Sequence, residues 1–583
     1  MGRVDVFGAL FEEWQARGLD RRTFLRLVAV GASATTLSTI IAACGGSSPS
    51  TATSVPGAPT QTSGGTPATP PAAVNATPVV QVSSSPVSNP IPTMAPFVNK
   101  EFQVALDAEP TTLDVHNTGS NAALGMFKCI YEGLVGQDEK LRIINLLAES
   151  WEPSSDAKEF TFKLRQGISF HDGTPFNATA VKTAFDRVLA ADSKLLRHTF
   201  FGNVIDHWEI IDEATIKLVA KQPFAAMIAT LGHPAGGIPS PTAVAKYGAD
   251  FGTHPVGTGP YQFSEWLRGD HITLQPYQNY WSKPNGAAVA KLTVRPITEP
   301  SALAAAIQSG SVQFAGPLAA PQAQQLKNAQ GLTVSQTDSI FAYFVTMNNS
   351  KKPFDDKRVR QALNYGVNKD DVLKAAELGQ GKILDSPLAA GVFGYQGAKP
   401  FPYDPQQAKT LLSQAGQASG FSPTLWTIAA DKTRAVAVQG QLQQIGVNVN
   451  VVLMDGAALS AELAKTVDQT QLQMVMSAFS PSTGDADLQL RLEYTKAGWP
   501  PTGFNDSYYD NADVDKYVQQ GLQFVDPAKR QAAYAQAQQL IMDDAVNLFL
   551  YAPTLFGGIR SNAGGVVVQP DAVIYMRTAY YTQ

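Results

Sequence analysis

Residues 45–96 constrain the fold most, because a segment of this composition cannot contribute to a hydrophobic core. The segment is made almost entirely of Ser, Thr, Pro, Ala, Gly and Val, and it contains no charged and no aromatic residue. Such a chain buries too little apolar surface to offset the entropy lost on ordering. We therefore expect a disordered, partly polyproline-like linker, although a glycosylated stalk has the same composition. The hydrophobic core must therefore be built from the residues that follow this segment in the chain.

The residues before this linker carry two export signals in sequence. Arg21 and Arg22 precede a weakly apolar stretch, which is typical of a Tat-type signal peptide. Small residues then precede Cys44, as in a lipobox, and the apolar stretch is shorter than the roughly 20 residues that a membrane helix needs. We expect a signal peptide at 1–43, a lipid on Cys44 with a linker at 44–96, and a protein held at the outer face of the cell membrane.

The chain after the linker has the composition of one large soluble body. Cys44 and Cys129 are the only cysteines. Once Cys44 carries a lipid, no pair is left for an internal disulfide, so stability must come from a sizeable core. Cys129 lies in an apolar helical context and is predicted to be a buried packing residue. The net charge of −5 and the lack of a basic cluster beyond the leader argue against nucleic acid as a partner.

Local patterns predict interleaved helices and strands. Asp404-Pro405 and Asp526-Pro527 each precede an apolar stripe of helical period, which indicates an N-cap with proline at the first helical position. Strands are predicted where apolar residues alternate, at 160–164 and 447–451. A glycine turn at Gly446 joins a helix to the second of these strands. This alternation favours an α/β fold.

A search for catalytic motifs is mostly negative. The sequence has no GxSxG, HExxH, GxxxxGK[ST], paired CxxC or complete GxGxxG. Val256-Gly257-Thr258-Gly259-Pro260 and His171-Asp172-Gly173 are more simply explained as backbone turns. No two histidines have the one-turn spacing of a metal pair on a helix. We expect no enzyme activity, no cofactor and no metal.

Several of these motifs occur together in one order, and they resemble family 5 solute-binding proteins of ABC importers, the group of dipeptide-, oligopeptide- and nickel-binding proteins. The similarity extends over essentially the whole chain after the linker. The matching strings are EPTTLD (109–114), YEGLV (131–135), LAESWEPSSD (147–156), FTFKLRQGISFHDGTPFNATAV (160–181), PVGTGPYQFSEW (255–266), FDDKRVRQALNYGVNKD (354–370), YDPQQAKTLLSQAG (403–416) and DPAKRQAAYAQAQQLI (526–541).

The resemblance implies a two-lobed class II periplasmic-binding-protein fold with an extra subdomain in the first lobe. A solute is held between the lobes, and the closed form is recognised by the permease and its ATPase subunits. We expect a monomer that crosses its hinge twice, near Ser339–Phe344 and Phe549–Phe556. The predicted lobes are 97–338 with 556–583, and 339–555.

One departure from the family bears on the ligand. Peptide binders of this family have Trp-x-x-Asp ahead of a Gly-Asp-Pro-Asp-like segment, and that first Asp pairs with the amino terminus of the peptide. In a gapless register Phe479 replaces the Trp and Ser482 replaces the Asp. A buried ammonium without a carboxylate is costly, so Asp485 is the predicted substitute anchor. Its other interpretation is turn formation beside Gly484.

Other ligand contacts are implied by position in the family fold. Thr118 and Asn121 belong to the loop after the first strand, and Phe341 and Tyr343 lie at the hinge strand. Trp426 ends a strand of the second lobe, where it either stacks on the ligand or is half-buried packing. Lys432 either faces a ligand carboxylate or is an exposed loop lysine; all of these residues stand in the printed sequence.

The favoured function is capture of a peptide or similarly sized solute for an ABC importer. A non-peptide solute of the same family, such as an oligosaccharide, a nickel chelate or haem, is the alternative, since Ser482 is uncharged. An extracytoplasmic hydrolase is the less favoured alternative, because no nucleophile or metal constellation was found. Ligand uptake without turnover distinguishes the first two from the third.

Overall fold

The computed structural model describes residues 94–398 and 400–582. The predicted signal peptide, Cys44 and the linker up to residue 93 lie outside the described residues. Within the described ranges, no helix is both long enough and apolar enough to cross a membrane. The described chain is a mixed α/β body, as the sequence predicts.

The first of two large sheets is built around β1, whose neighbours on both sides run parallel to it. Helix α1 follows β1 and packs its apolar face on this sheet, with Phe102, Val104 and Phe127 fully buried between them. The strands in spatial order are β8 (Tyr261–Leu267), β9 (His271–Pro276), β10 (Val289–Pro296), β1 (Val98–Leu106) and β11 (Phe314–Leu318). The helices around it are α1 (Asn121–Ile130), α5 (Pro241–Tyr247), α6 (Pro300–Ser309) and α7 (Ala320–Leu326).

A smaller antiparallel sheet is inserted in the chain between β1 and β8. Phe160, Phe162 and Leu164 point to its buried face, which confirms the strand predicted from their alternation. Its strands in spatial order are β4 (Ala148–Pro153), β5 (Glu159–Leu164), β7 (Thr215–Ala220) and β6 (Ile205–Asp212). The hairpin of β2 (Val135–Gln137) and β3 (Ile143–Asn145) precedes it, and α2 (Ala178–Leu189), α3 (His198–Gly202) and α4 (Met227–Gly232) accompany it.

The second large sheet has helices on both faces. Val345 and Met347 face one helical layer, and Ala342 and Phe344 face the other. Its strands are β14 (Gly381–Ile383), β13 (Ala342–Met347), β17 (Met474–Phe479), β15 (Thr424–Thr427) and β16 (Asn450–Leu453). The first layer contains α8 (Lys357–Gly366), α9 (Lys369–Glu377), α10 (Pro405–Gln414) and α11 (Lys432–Gln443), and the other contains α13 (Ala486–Tyr494), α14 (Ala512–Gln523) and α15 (Pro527–Asp543). Helix α12 (Gly456–Leu463) packs beside β15.

One long strand, β18 (Asn547–Arg560), belongs to both sheets. Its first half pairs with β13 and β14, and its second half pairs with β11 and with β12 (Leu332–Asp338). The chain passes between the sheets at β12–β13 and again along β18, within the spans of the two predicted crossings. Hinge motion and the lobe boundaries remain predictions. The C-terminal strands β19 (Ala563–Gly564), β20 (Val567–Val568), β21 (Ile574–Tyr575) and β22 (Tyr580–Tyr581) form two short hairpins.

Most local predictions are confirmed. The carboxylates of Asp404 and Asp526 cap α10 and α15 by accepting backbone N–H groups of the first turn. Cys129 is fully buried, and burial raises the pKa of its thiol to about 12. The strand predicted at 447–451 is shifted, since β16 begins only at Asn450. The backbone N–H of Val447 is used to close the preceding helix, by donating to Leu442.

Candidate ligand-binding site

The end of β2, in the β2–β3 hairpin, contacts the loop that follows β17 of the second large sheet. The Nε2 of Gln137 donates to the carbonyl of Ser482 at 3.1 Å. Gln137 is buried, yet its Oε1 has no hydrogen-bond partner, and neither has the Oγ of Ser480. Buried polar groups are nearly always satisfied in folded proteins. These two groups are therefore available to a bound solute at the junction.

The loop that presents Ser482 is shaped by two tight turns. Ser482 N–H donates to the carbonyl of Ser480, and Gly484, at a φ of 75°, closes a second turn on Pro481. Phe479 ends β17 just before it, and its ring centroid lies 6.0 Å from that of Phe504, which is 58% exposed. The loop thus combines an uncharged polar backbone with an accessible aromatic pair. A ligand role for Phe479 and Ser482 remains a prediction.

Asp485 has a different environment from the one predicted for an amine anchor. Its side chain is fully buried, and Nη2 of Arg530 lies 2.9 and 2.8 Å from its two oxygens. The same carboxylate caps α13 by accepting from the N–H of Asp487. Burial raises the pKa of Asp485, and Arg530 opposes that shift. The carboxylate serves the packing of α13 against α15 in this conformation and leaves no oxygen exposed to a ligand.

Tyr343 and Phe479 lie on opposite faces of the second sheet. Phe479 is in register with Ala342, whereas Tyr343 is in register with Ala478. Residues that pair across neighbouring strands point to the same face of the sheet. The rings of Tyr343 and Phe479 therefore point to opposite faces and cannot contact the same ligand. The guanidinium of Arg434 lies 4.1 Å from the centre of the Tyr343 ring. Phe341, half-buried, directly precedes β13.

Trp426 shares the face of Phe479, since it is in register with Val475. It packs half-buried against a small cluster containing Leu459, which matches the packing interpretation of this residue. Lys432 begins α11 and is exposed, with no ion pair within the described ranges. A ligand role for either residue remains a prediction.

One of the predicted residues of the first lobe, Thr118, contacts an arginine that the sequence analysis missed. Thr118 is buried, and its carbonyl accepts from Nε of Arg197 at 3.0 Å. Asn121 is the exposed first residue of α1 and donates to the carbonyl of Asp571 at 3.4 Å. Neither Arg197 nor Gln137 belongs to a recognisable motif. No sequence signal identifies them, because their contacts are made with residues far away in the chain.

A cavity of about 510 Å³ lies where β18 and the β12–β13 segment cross between the sheets. Ile340, Leu388 and Val568 form part of its apolar wall, and the Oγ of Ser339 is buried beside it without a partner. None of the nine predicted ligand residues lines this cavity. It is therefore distinct from the junction at Ser482.

Comparisons with known proteins agree with this architecture. The sequence profile of "Bacterial extracellular solute-binding proteins, family 5 Middle" matches residues 142–501, more than half of the chain. The chain belongs to this family. It is a solute-binding protein that serves an ABC importer, and the resemblance noted from its motifs is confirmed.

Two curated relatives of this solute-binding protein are named glutathione-binding protein GsiB. The protein of Pectobacterium atrosepticum is 36% identical over 506 residues, which cover 86% of this chain and 97% of the relative. The protein of Escherichia coli O157:H7 is 36% identical over 479 residues, with 82% and 93% covered.

Solved structures support the two-lobed fold. DppA of Helicobacter pylori in complex with the peptide STSA matches with a TM-score of 0.72 at 25% identity, covering 83% of this chain and 98% of DppA. AgaA of A. tumefaciens R10 in complex with agropinic acid matches with a TM-score of 0.71 at 26% identity, covering 83% and 99%.

Proposed function

We propose that this solute-binding protein captures a short peptide of the glutathione type and delivers it to its permease. The observation that carries the proposal is the uncharged junction at Ser482. Its carbonyl is bound by Gln137, and the one nearby carboxylate that was predicted to compensate, Asp485, is paired with Arg530. The names of relatives that match over most of this chain support the same class of ligand.

The chemistry of glutathione suits an uncharged junction. An ordinary peptide presents an isolated ammonium at its amino terminus, and burying it without a carboxylate is costly. The γ-glutamyl end of glutathione carries its own carboxylate on the same carbon as the ammonium. That end is locally neutral, so its ammonium can donate to an uncharged acceptor such as Gln137 Oε1, and the hydroxyl of Ser480 can donate to its carboxylate.

The test is isothermal titration of the purified protein with glutathione and with its isomer α-Glu-Cys-Gly. The two peptides have identical composition and charge and differ only in which carboxyl of glutamate forms the peptide bond. We expect glutathione to bind at least about 10-fold more tightly, a difference of about 1.4 kcal/mol. Equal affinities, or binding of oligosaccharides or nickel chelates alone, would contradict the proposal.

The proposal includes how the protein is deployed. We expect export through the Tat route, a lipid on Cys44 that anchors the protein to the outer face of the membrane, and a monomer that releases its solute unchanged. Two lobes, 97–338 with 556–583 and 339–555, close on the solute. A Cys44→Ala protein that still partitions with membranes would contradict the anchor, and product formation from glutathione would contradict a pure binding role.

A further inference from the structure

Arg197 is a half-buried cation for which the described part of the chain supplies no counter-ion. It directly precedes α3, and Nε is bound to the carbonyl of Thr118. Within the described ranges no carboxylate lies within 4.0 Å of its guanidinium. Three other arginines face a carboxylate: Arg187 faces Asp114, Arg530 faces Asp485 and Arg577 faces Glu132. Buried Arg360 has no carboxylate partner either, but its Nε, Nη1 and Nη2 all donate to backbone carbonyls.

The missing counter-ion has an energetic consequence. Burial alone lowers the pKa of Arg197 to about 10, so the side chain stays charged at neutral pH. A guanidinium offers five N–H donors, and only Nε–H of Arg197 has an acceptor within the described part of the chain. Partly desolvated charges are normally paired. The remaining donors form a fork that matches a carboxylate.

The Arg197 guanidinium lies between the ring of Phe200, whose centre is 5.4 Å away, and the loop that precedes α1. Gly119 of that loop has no side chain to cover it, since a Cβ at that position would lie 3.9 Å from Nη2 of Arg197. Leu196, next to Arg197 in the chain, is 56% exposed, so solvent reaches this region. The N-cap of α1, Ser120, makes no side-chain capping bond. The positive end of α1 thus follows the loop to which Arg197 is bound.

We propose that Arg197 binds a carboxylate of the solute through its two terminal nitrogens, with residues 118–120 forming the wall of this subsite. The identity of the solute rests on the proposed function. The subsite makes a free carboxylate a requirement for tight binding and gives the first lobe a specific role in ligand choice. It complements the neutral junction, which holds the other end of the same ligand.

The experiment compares glutathione with its diethyl ester, in which both carboxylates are blocked, on the wild-type protein and on Arg197→Gln. We expect the substitution to weaken glutathione binding about 30-fold or more, as for truncation of one partner of a charge-assisted pair, and diester binding less than about 3-fold. The glycine monoethyl ester then identifies which carboxylate Arg197 binds. Arg197→Lys keeps the charge but loses the fork, and we expect an intermediate loss.

Lys194→Gln is the matched control, because it removes an exposed cation of the same loop that has no ion pair within the described ranges. The affinity of Lys194→Gln for glutathione should stay within about 2-fold of the wild-type affinity. Melting temperatures of all variants separate a binding effect from loss of the Thr118 hydrogen bond. Equal losses for acid and diester, or no preference for the acid in wild type, would overturn the Arg197 proposal.

A different result would overturn the proposed function instead. If the wild-type protein does not bind glutathione but binds another acidic peptide, that peptide and its ester are compared instead. Loss of the acid preference in Arg197→Gln then still supports the carboxylate subsite, and retention of that preference overturns it.

Discussion

Two regions of the molecule differ in how a buried charge is compensated: the Asp485–Arg530 pair after β17 and the loop that contains Arg197. Asp485 and Arg530 are both almost fully buried and satisfy each other at 2.8 Å. Arg197 has a backbone carbonyl as its only acceptor within the described residues. A pair closed within the protein stabilises the fold, whereas a charge left open is available to a ligand. The comparison supports our proposal that the solute is recognised in the first lobe and at the neutral junction.

Asp506 adds a third case. Its carboxylate has no donor or cation within bonding distance in the described part of the chain, and burial raises its pKa to about 8. A carboxyl group can become neutral by keeping its proton near neutral pH. A guanidinium with a pKa of about 10 cannot lose its charge in this way. An unpaired Asp can therefore become neutral, whereas an unpaired Arg keeps its charge and can bind an anion.

The largest expected effect comes from breaking the closed pair. Asp485→Ala leaves the guanidinium of Arg530 buried without a partner, and we expect a loss of about 3–5 kcal/mol in the free energy of unfolding. Urea unfolding followed by circular dichroism measures it. The double variant Asp485→Ala, Arg530→Met should lose less than the single variant. A loss below about 1 kcal/mol for Asp485→Ala would show that the pair is not part of the stable core.

Asp506 should make stability depend on pH. An unfolded Asp titrates near 4 and the folded carboxyl near 8, so between these values the unfolded state binds fewer protons. Stability therefore falls as pH rises from about 4 to about 8. We expect Asp506→Asn to remove this slope and to gain roughly 3–4 kcal/mol relative to wild type between pH 5 and pH 8. Urea unfolding at pH 5 and pH 8 measures it, with exposed Asp468→Asn as the control. Parallel pH profiles of wild type and Asp506→Asn would rule out the raised pKa.

Adding a charge at the neutral junction should change ligand choice. Ser482→Asp restores a carboxylate where peptide binders of the family have one, and we expect it to favour α-Glu-Cys-Gly over glutathione by about 10-fold relative to wild type. Titration calorimetry with both peptides measures the ratio. Ser482→Asn has a similar shape without the charge and should leave the ratio unchanged. The same ratio in all three proteins would remove Ser482 from the specificity determinants.

The smallest effect on stability is expected at an exposed ion pair beside the cavity of about 510 Å³ between the sheets. Lys382 and Asp338 are 2.6 Å apart, and their side chains are 55% and 49% exposed. Solvent and salt screen such pairs, so Lys382→Ala should change stability by less than about 1 kcal/mol. Thermal unfolding at low and high salt measures it. A loss as large as that of Asp485→Ala would mean that exposure does not separate the two kinds of pair.

The sequence predicted the family, the α/β class and the capped helices, because these depend on patterns within a few residues. Asp404 caps the helix that begins at the next residue, and the strand at 160–164 shows its period directly. The role predicted for Asp485 lacks support in the structure for the opposite reason. Its partner Arg530 is 45 residues away in the sequence, and no local sequence pattern predicts that contact.

A large separation in sequence also explains why Gln137 and Arg197 were not predicted as site residues. Gln137 meets Ser482 across 345 positions, and Arg197 meets Thr118 across 79. Composition and motifs by themselves determined which segment can build a core, where the capped helices begin, and which family the chain belongs to. The tertiary structure alone decided which charges are paired and which remain open, because pairing depends on the packing of distant segments against one another.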